Sequence, residues 1–274
     1  MKQNIPVRLD RRIYSREELC GEYFILWIWD DNLSRKCHPG QFFEIRAHAS
    51  LLDAFDARSL PKLYKPISIY DNADGRIGFF IKKVGAGTSA LAKLKAGDKL
   101  ELIGPLGNGF NPVSNKRVLL LSGGIGYPPL WYLQKELINH NKIFWLHGGA
   151  NQDDVFPCDE VWTMDGSFGK KGMVTEGLAP LILEKKINLV YSCGPIPMLK
   201  QAAKITRELG IRHYTSLEAY MACGIGVCHG CAVPIRTDTK EDIEAGTSIP
   251  QWDYLRVCKE GPVFNAEDVM WSML

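Results

Sequence analysis

The chain has 274 residues, 46% of them hydrophobic, and its 33 Lys and Arg against 31 Asp and Glu give a net charge of +2. This length and apolar content predict two domains and a small additional segment, and the near-neutral charge argues against a nucleic-acid-binding protein. Residues 1–10 lack the apolar run of a signal peptide, and the apolar run at 23–29 is too short to span a bilayer, so we expect a cytoplasmic protein with no membrane span.

The first part of the chain, residues 1–112, contains short apolar segments separated by turn dipeptides such as Pro-Gly and Asp-Gly. Several short strands at this spacing, without long helical patterns, predict a small antiparallel β-barrel. The predicted strands are 23–29, 41–46, 65–70, 76–84 and 99–103.

Three segments of this barrel could contribute to a binding or catalytic site. Lys65 opens a strand that carries a hydroxyl at Ser68, and a glycine-rich turn at 84–89 precedes a predicted helix at 90–94. Backbone N–H groups at a glycine-rich helix N-terminus are suited to a pyrophosphate. The third piece is the turn-rich exit at 104–110. Taken singly, each is more often an ordinary turn or strand end.

The second part, residues 113–214, alternates buried strands with helices, which predicts a doubly wound parallel sheet. The predicted strands are 117–122, 142–147 and 188–192, and the predicted helices are 128–139 and 196–209. Two of the strands end in glycines, and such sheets bind ligands beyond the C-terminal ends of their strands. These two strand ends predict a dinucleotide crevice, whereas the polar loop at 165–172 is as compatible with a plain surface turn.

The third part, residues 215–274, contains four cysteines in the spacing C-x4-C-x2-C followed by a distant Cys. They are Cys223, Cys228, Cys231 and Cys258. This is the plant-type ligand pattern for a [2Fe–2S] cluster, and the interleaved glycines permit a loop that turns its N–H groups toward sulfur. A structural zinc site usually presents two short-spaced pairs instead, and a disulfide framework would need an oxidising compartment. The other four cysteines show no framework spacing and are expected to be reduced thiols.

A barrel, a dinucleotide sheet and a [2Fe–2S] segment follow one another in the ferredoxin reductase-like superfamily. Within it, the chain closely resembles the electron-transfer subunits of type 1B dihydroorotate dehydrogenases. The resemblance rests most specifically on segments 65–68, 104–110, 123–130, 165–175, 193–199, 221–231 and 257–264. It implies that the first domain binds FAD, that the second binds NAD(H), and that the partner is an FMN-containing catalytic subunit, in a heterotetramer of two of each.

The resemblance also implies roles for individual residues of the FAD domain. Lys65 would face the FAD pyrophosphate, and Ser68 would act as a catalytic residue beside the reactive edge of the isoalloxazine ring. The remaining FAD-binding residues implied in this way are Pro66, Ile67, Ile81, Lys82, Lys83, Gly87 and Thr88, the last two at the phosphates.

In the other two parts, the implied residues bind NAD and the cluster. Cys193, the second implied catalytic residue, would lie with Gly194 near the nicotinamide and help aim it at the flavin. Gly123, Gly124 and Gly126 would receive the NAD pyrophosphate, and Cys223, Cys228, Cys231 and Cys258 would hold the cluster.

The chain departs from the family pattern in three places. Lys65 stands where Arg is usual, which keeps the charge but loses the bidentate fork. Tyr127 replaces a small apolar residue and is expected to alter access of the nicotinamide. An acidic, Thr-rich insertion lies around 237–248, and it could touch the partner subunit or, more simply, be a solvated loop.

The function predicted from these parts is electron transfer in pyrimidine biosynthesis, between a partner's FMN and NAD+, through a [2Fe–2S] cluster and FAD. NAD exchanges electrons in pairs and the cluster singly, so a flavin is needed between them. NAD is preferred over NADP because the loop 148–154 offers carboxylates and no cation for a 2′-phosphate, although Lys170 and Lys171 are not far away.

Two alternatives remain open at this point. One is a reductase subunit of another NAD(P)H complex, of the hydrogenase or ferredoxin:NADP oxidoreductase type. The other is a zinc-bound, non-enzymatic subunit that docks onto a metabolic enzyme.

Overall fold

The computed structural model describes residues 8–48, 63–238 and 251–274. These residues form two seven-stranded sheets and one two-stranded sheet. Within the same ranges, no helix is both long and apolar enough to cross a membrane.

The first sheet is antiparallel, with the strand order β4-β3-β7-β1-β2-β6-β5. Its strands are β1 (Arg8–Glu18), β2 (Tyr23–Trp29), β3 (Phe42–Ala47), β4 (Lys65–Ser68), β5 (Asp71–Ala73), β6 (Arg76–Lys82) and β7 (Lys99–Leu106), and its short helices are α1 (Asp31–Ser34) and α2 (Ala86–Leu91). The chain passes from one edge of the sheet to the other at Ile69 and Tyr70, whose N–H groups donate to Gln41 O and Gly78 O. The sheet is therefore curled into a half-barrel around an apolar core, and the prediction of an antiparallel barrel is confirmed.

All five predicted strands of the barrel are present, but β1 and β5 were not predicted. In β1 only Ile13 is buried, because most of its side chains are charged and lie at the surface. The predicted helix at 90–94 is misplaced. Helix α2 begins at Ala86, since the Thr88 hydroxyl accepts hydrogen bonds from the N–H groups of Val84 and Gly85 and starts the first turn there.

The second sheet has the order β11-β10-β9-β8-β12-β13-β16. Its strands are β8 (Arg117–Gly123), β9 (Lys142–Gly149), β10 (Glu160–Thr163), β11 (Lys170–Lys171), β12 (Leu189–Cys193), β13 (Arg212–Ser216) and β16 (Val263–Asn265), and its helices are α3 (Tyr127–Leu137), α4 (Leu178–Lys185) and α5 (Ile196–Glu208). All neighbouring pairs are parallel except β13 with β16. The predicted parallel sheet is thus confirmed, with one antiparallel strand added at its edge.

The C-terminal segment is built into the second sheet. Strands β14 (Ala232–Arg236) and β15 (Trp252–Arg256) pair as an antiparallel two-stranded sheet, and β16 then joins β13. Because β13 continues to Ser216, the predicted boundary between residues 214 and 215 falls inside a strand. Phe42 of the barrel also packs in one apolar core with Val257 of this segment.

Two buried histidines form side-chain hydrogen bonds between neighbouring strands of the second sheet. His147 on β9 hydrogen-bonds Ser122 Oγ on β8 (2.7 Å) and the carbonyl oxygen of Asp154 (2.7 Å). His213 on β13 hydrogen-bonds Ser192 Oγ on β12, also at 2.7 Å. Burial lowers the pKa of both imidazoles, that of His213 to about 3, so both are neutral in the folded protein.

Candidate functional site

A crevice opens where the strand order of the second sheet reverses, between the C-terminal ends of β8 and β12. Gly126, which follows β8, lies directly on the end of β12. A Cβ on Gly126 would lie 2.2 Å from the carbonyl oxygen of Cys193, and a Cβ on Gly194 would lie 2.7 Å from Met198 Cε. Gly124 instead has a φ of +50° and no atom of the described chain within 4 Å of its Cβ position. The two glycine-bearing strand ends are therefore packed together and leave an open backbone surface, as a bound pyrophosphate requires.

The cavity in this crevice has a volume of about 520 Å³, in the range of small-molecule sites. Its lining includes Gly123, Gly124, Gly194, Lys82 and Glu218. Three of the predicted glycines are thus brought to one cavity with a lysine of the barrel and an unpredicted carboxyl group, whereas Gly126 and Cys193 lie behind its lining.

Cys193 is fully buried beside this cavity. Burial, together with the charge of Glu218, raises the pKa of the Cys193 thiol, so it is neutral and unsuited to act as a nucleophile. Glu218 lines the cavity and is exposed to solvent. Cys193 therefore offers a neutral, buried surface behind the cavity, and Glu218 offers a carboxyl group at its open side.

The predicted flavin residues of β4 and α2 meet in space. A Cβ on Gly87 would lie 2.3 Å from Lys65 Cε, so the lysine side chain crosses the first turn of α2 over its glycine. Thr88 lies in the same turn, where its hydroxyl is engaged with backbone groups. This arrangement gathers a cation and exposed N–H groups, which are the groups that bind a pyrophosphate. Along β4, Pro66 lies opposite Glu44 and Ser68 lies opposite Phe42, while Ile67 packs against the barrel core.

The residues Ile81, Lys82 and Lys83 do not present one common surface. The Ile81 side chain lies in the barrel core, and Lys83 is exposed with Glu22 Oε2 at 3.4 Å. Lys82 reaches the second domain, where its Nζ lies 2.7 Å from Asp154 Oδ1. Side chains of this stretch are directed elsewhere, so any contact with a flavin would be made by its backbone.

Asp154 locks the end of β9 onto the barrel. Besides Lys82, its carboxylate accepts hydrogen bonds from the Tyr23 hydroxyl and from the backbone N–H of Ala150. Burial works against the charge, but these hydrogen bonds lower the pKa of Asp154 below its usual value. Asp154 thus joins the two domains and also lines the nucleotide cavity, and the preference of the 148–154 loop for NAD over NADP stays a prediction.

Tyr127, the departure from the family pattern at the start of α3, lies in the protein core. Its ring is buried and stacks on Trp145 at 4.5 Å between centroids, and its hydroxyl donates to Pro157 O. It lies in the apolar core between barrel and second sheet, with Phe80 of the barrel. The ring does not line the crevice cavity, so any effect on nicotinamide access would be indirect and stays a prediction.

The four cysteines of the third segment lie together as two pairs. The Cys228 N–H donates to Cys223 Sγ and the Cys258 N–H donates to Cys231 Sγ, both at 3.4 Å. Across the described ranges, no three His, Cys, Asp or Glu side chains converge as ligands of one metal ion. The second pair is not the short-spaced pair of a structural zinc site, since Cys258 is 27 positions from Cys231, so the residues fit a [2Fe–2S] cluster.

Backbone N–H groups of the cysteine loop favour the charged, thiolate form of its first cysteine. Burial opposes ionisation, but hydrogen bonds from the N–H groups of Cys228, Ile225 and Val227 lower the pKa of Cys223 to about 6. Positive φ angles at Gly224 (+67°) and Gly226 (+82°) direct these groups inward. All eight cysteines, which lie in the described part of the chain, are free of disulfides.

The cysteine loop rests on the barrel at Gly224. A Cβ there would lie 2.4 Å from Glu44 Cγ, so only glycine permits this approach. Glu44 is 1% exposed, and neither carboxyl oxygen has a hydrogen-bond partner among the described residues. Burial and the nearby Cys223 raise the pKa of Glu44 to about 7. A buried polar group without a partner marks a place where another group binds, and here it lies between the cysteine loop and β4.

Sequence reasoning missed Glu44, Glu218 and the engagement of Asp154. Each acquires its environment from distant segments, and a lone Glu in a strand gives no local signal. Of the insertion at 237–248, only Thr237 and Asp238 fall within the described residues, so its predicted roles lie outside them.

Known proteins resemble this chain along most of its length. The model of the iron–sulfur cluster binding domain of dihydroorotate dehydrogenase B matches residues 218–270. The "Dihydroorotate dehydrogenase B (NAD(+)), electron transfer subunit" of Caldanaerobacter subterraneus is 35% identical over 271 residues, which cover 96% of this chain and 99% of that protein. The protein of the same description from Fusobacterium nucleatum is 37% identical, with 87% and 89% covered.

Solved structures agree on the fold. The structure of an NADH-dependent reduced ferredoxin-NADP oxidoreductase superposes with a TM-score of 0.78 at 28% identity, covering 96% of this chain and 91% of that one. A ferredoxin reductase of carbazole 1,9a-dioxygenase, at 20% identity and a TM-score of 0.62, shares the fold over 77% of this chain and 68% of its own. With two relatives above 30% identity over nearly their whole length, the chain belongs to the family of electron transfer subunits of dihydroorotate dehydrogenase B (NAD(+)).

Proposed function

We propose that the protein relays electrons between the FMN of a dihydroorotate dehydrogenase catalytic subunit and NAD+, through its own [2Fe–2S] cluster and FAD. One observation carries this proposal above the others. The cysteine loop touches β3 at Glu44, and β3 is hydrogen-bonded to β4, the strand that begins with Lys65. The cluster site and the flavin site are therefore adjacent on the same polypeptide.

When bound, a flavin can exchange electrons in pairs with NAD and singly with an iron–sulfur cluster. The residues of this chain supply binding, orientation and exclusion of water. Lys65 and the first turn of α2 would hold the FAD pyrophosphate, and Ser68 would lie at the ring. The crevice glycines would hold the NAD pyrophosphate, and the neutral Cys193 would position the nicotinamide. No general base is needed for this transfer, since positioning is sufficient.

We propose that the catalytic partner docks over the cysteine loop, in a heterotetramer of two of each subunit. Tyr220, Ile225 and Val227 project apolar side chains around the loop, and Tyr220 is 98% exposed. Exposed apolar residues clustered at one place are typical of an interface. The division into units 1–112, 113–214 and 215–274 and a cytoplasmic location complete the proposal, and the absence of disulfides supports the latter.

Replacing one cluster ligand tests the order of the relay. In Cys258→Ser we expect loss of electron transfer to the partner, with NADH-dependent reduction of a dye through FAD largely kept. Cys20→Ser is the matched control, since this exposed cysteine lies outside the cluster loop and should leave both activities unchanged. Equal loss of both activities in Cys258→Ser would contradict the relay.

A reductase subunit of ferredoxin:NADP oxidoreductase type is the second candidate, favoured by the fold likeness with a TM-score of 0.78. Purification from the host separates the two. Co-purification with an FMN-containing subunit and orotate-dependent NADH oxidation support the first, and reduction of ferredoxin without orotate activity supports the second. A colourless protein with stoichiometric zinc would instead support a docking scaffold.

A further inference from the structure

A second cleft lies between α5 and the C-terminal residues, apart from the nucleotide crevice. Its volume is about 530 Å³, and Pro197 at the start of α5 lines both cavities. Neither the electron relay nor the cluster accounts for it. Its size is sufficient for a small organic molecule.

Cations dominate the lining of this cleft. Lys200, Lys204 and Arg207 follow one another on α5 at spacings of four and three residues, so they lie on one face of the helix. All three are exposed, and none forms an ion pair with another described residue. Arg236 enters from β14, and Glu267 is the lone carboxylate in the lining. Four cations and one carboxylate line the cleft, and Asp238 lies beside Arg236, so the net charge around the cleft is positive.

Arg236 provides an independent sign of a missing ligand. Its Nε is buried and has no hydrogen-bond partner in the described part of the chain. The closest carboxylate oxygen, Asp238 Oδ2, lies 3.8 Å from Nε, which is too far for a hydrogen bond. The Arg236 side chain is 39% exposed and lies beside Asp238, but its buried Nε–H has no acceptor among the described residues, and an anion in the cleft would supply one.

The apolar wall of the cleft consists of Val269, Met270 and Trp271, of which Val269 and Trp271 are largely buried. A ligand that matches the whole lining carries several negative charges and a flat apolar group. We propose that this cleft binds a nucleoside di- or triphosphate, with its phosphates on the α5 cations and Arg236 and its base on the apolar wall.

Equilibrium binding of ATP to the full-length protein, loaded with flavin and cluster, tests this site. Saturating NAD+ is kept present so that the nucleotide crevice is filled. We expect one saturable ATP site per chain and weaker binding of inorganic pyrophosphate, which cannot use the apolar wall. No saturable binding, or equal binding of ATP and pyrophosphate, would overturn the assignment.

Two double variants of equal charge change locate the site. In Lys200→Gln/Lys204→Gln we expect ATP affinity to fall about tenfold or more, as for the loss of charge-assisted contacts. Lys36→Gln/Lys142→Gln removes the same charge from exposed lysines elsewhere and should change affinity less than about twofold.

Equal weakening in both doubles would mean non-specific attraction and refute the site, as would no change in either. Neither double should alter NADH-dependent dye reduction, which also shows that both variants are folded. If an acidic peptide bound in place of ATP, with the same dependence on Lys200 and Lys204, the cleft would be a protein interface and the nucleotide proposal would fail.

Discussion

Two strand ends of the second sheet, those of β8 and β9, line the same cavity but differ in what their residues contact. At the end of β8, glycines without side chains leave the backbone open to the cavity. At the end of β9 the carboxylate of Asp154 is tied to Tyr23 and Lys82 of the barrel. The comparison teaches that a strand end can serve either the ligand or the domain interface, and that the side chains offered by the neighbouring domain decide which.

A substitution at the end of β8 should have a larger effect on activity than one at the end of β9. In Gly126→Ala the new methyl group would collide with the Cys193 carbonyl oxygen at 2.2 Å and push β8 and β12 apart. Because a displacement of about 1 Å can cost a hundredfold in rate, we expect kcat/KM for NADH to fall about a hundredfold. Steady-state dye reduction measures it.

Gly210→Ala is the control for this variant. Gly210 follows the C-terminal end of α5, and beyond its chain neighbours no described atom lies within 4 Å of the Cβ position, so its positive φ of +65° affects local stability and not the crevice. Its NADH kinetics should match those of the unmodified protein. A similar loss in both variants would mean that the crowding at Gly126 is not the cause.

A substitution of Asp154 at the end of β9 should lower the free energy of unfolding and leave the preference between NADH and NADPH unchanged. Asp154→Asn leaves Lys82 without its carboxylate, and because Lys82 is partly exposed we expect the free energy of unfolding to fall by about 2–3 kcal/mol. The ratio of kcat/KM for NADH and NADPH should not change. Denaturant unfolding and kinetics with both coenzymes measure the two effects.

The exposed neighbour Asp153 gives the matched control, and Asp153→Asn should alter the free energy of unfolding by less than about 0.5 kcal/mol. A marked shift toward NADPH in Asp154→Asn would instead place this carboxylate at the ribose and remove the contrast between the two strand ends.

Lowering the pH should reduce the free energy of unfolding, because a buried histidine lies near each of the two strand ends. His147 lies behind the end of β9 and His213 pairs with β12, and both keep a pKa below the usual value of about 6.5 in the folded state. The unfolded chain then binds more protons, so the free energy of unfolding falls as pH drops from 7 to 5, by nearly 2 kcal/mol for His213. In His213→Gln that part of the pH dependence should disappear. An unchanged pH profile would show that this imidazole titrates normally in the folded protein.

Removing one hydrogen bond from the end of β9 should have the smallest effect. Tyr23→Phe takes away the hydroxyl that donates to Asp154 but keeps Lys82 in place. We expect a loss of about 1 kcal/mol in the free energy of unfolding. A loss as large as that of Asp154→Asn would mean that the hydroxyl, and not the lysine, holds the two domains together.

The sequence predicts those parts of the fold whose side chains follow their own local pattern. Strands β8, β9 and β12 are apolar runs, and their burial in the parallel sheet makes them recognisable. Strand β13 escapes prediction because its buried positions, His213 and Thr215, are polar and are satisfied by hydrogen bonds from β12. Its membership in the sheet depends on a neighbour that the local sequence does not contain.

The same distinction applies to the site. Cysteines and glycines at fixed spacing give a local signal, and the structure brings Cys223 and Cys258 together as the spacing predicts. The environments of Glu44 and Glu218 form only in the folded protein, where Gly224 contacts Glu44 and Cys193 lies close to Glu218. The contacts of Asp154 with Lys82 and Tyr23 could not be predicted either, because both partners lie in the barrel and are distant in sequence.

Strand β16 has a consequence for how such proteins can be assembled or taken apart. Because it continues the nucleotide-binding sheet from the far side of the cysteine loop, the chain passes from sheet to cluster site and back to sheet. The iron–sulfur segment therefore cannot be exchanged as a cassette at residue 214. Any chimera that imports another cluster module must also import a strand able to pair with Tyr214, Thr215 and Ser216, or leave that sheet edge bare.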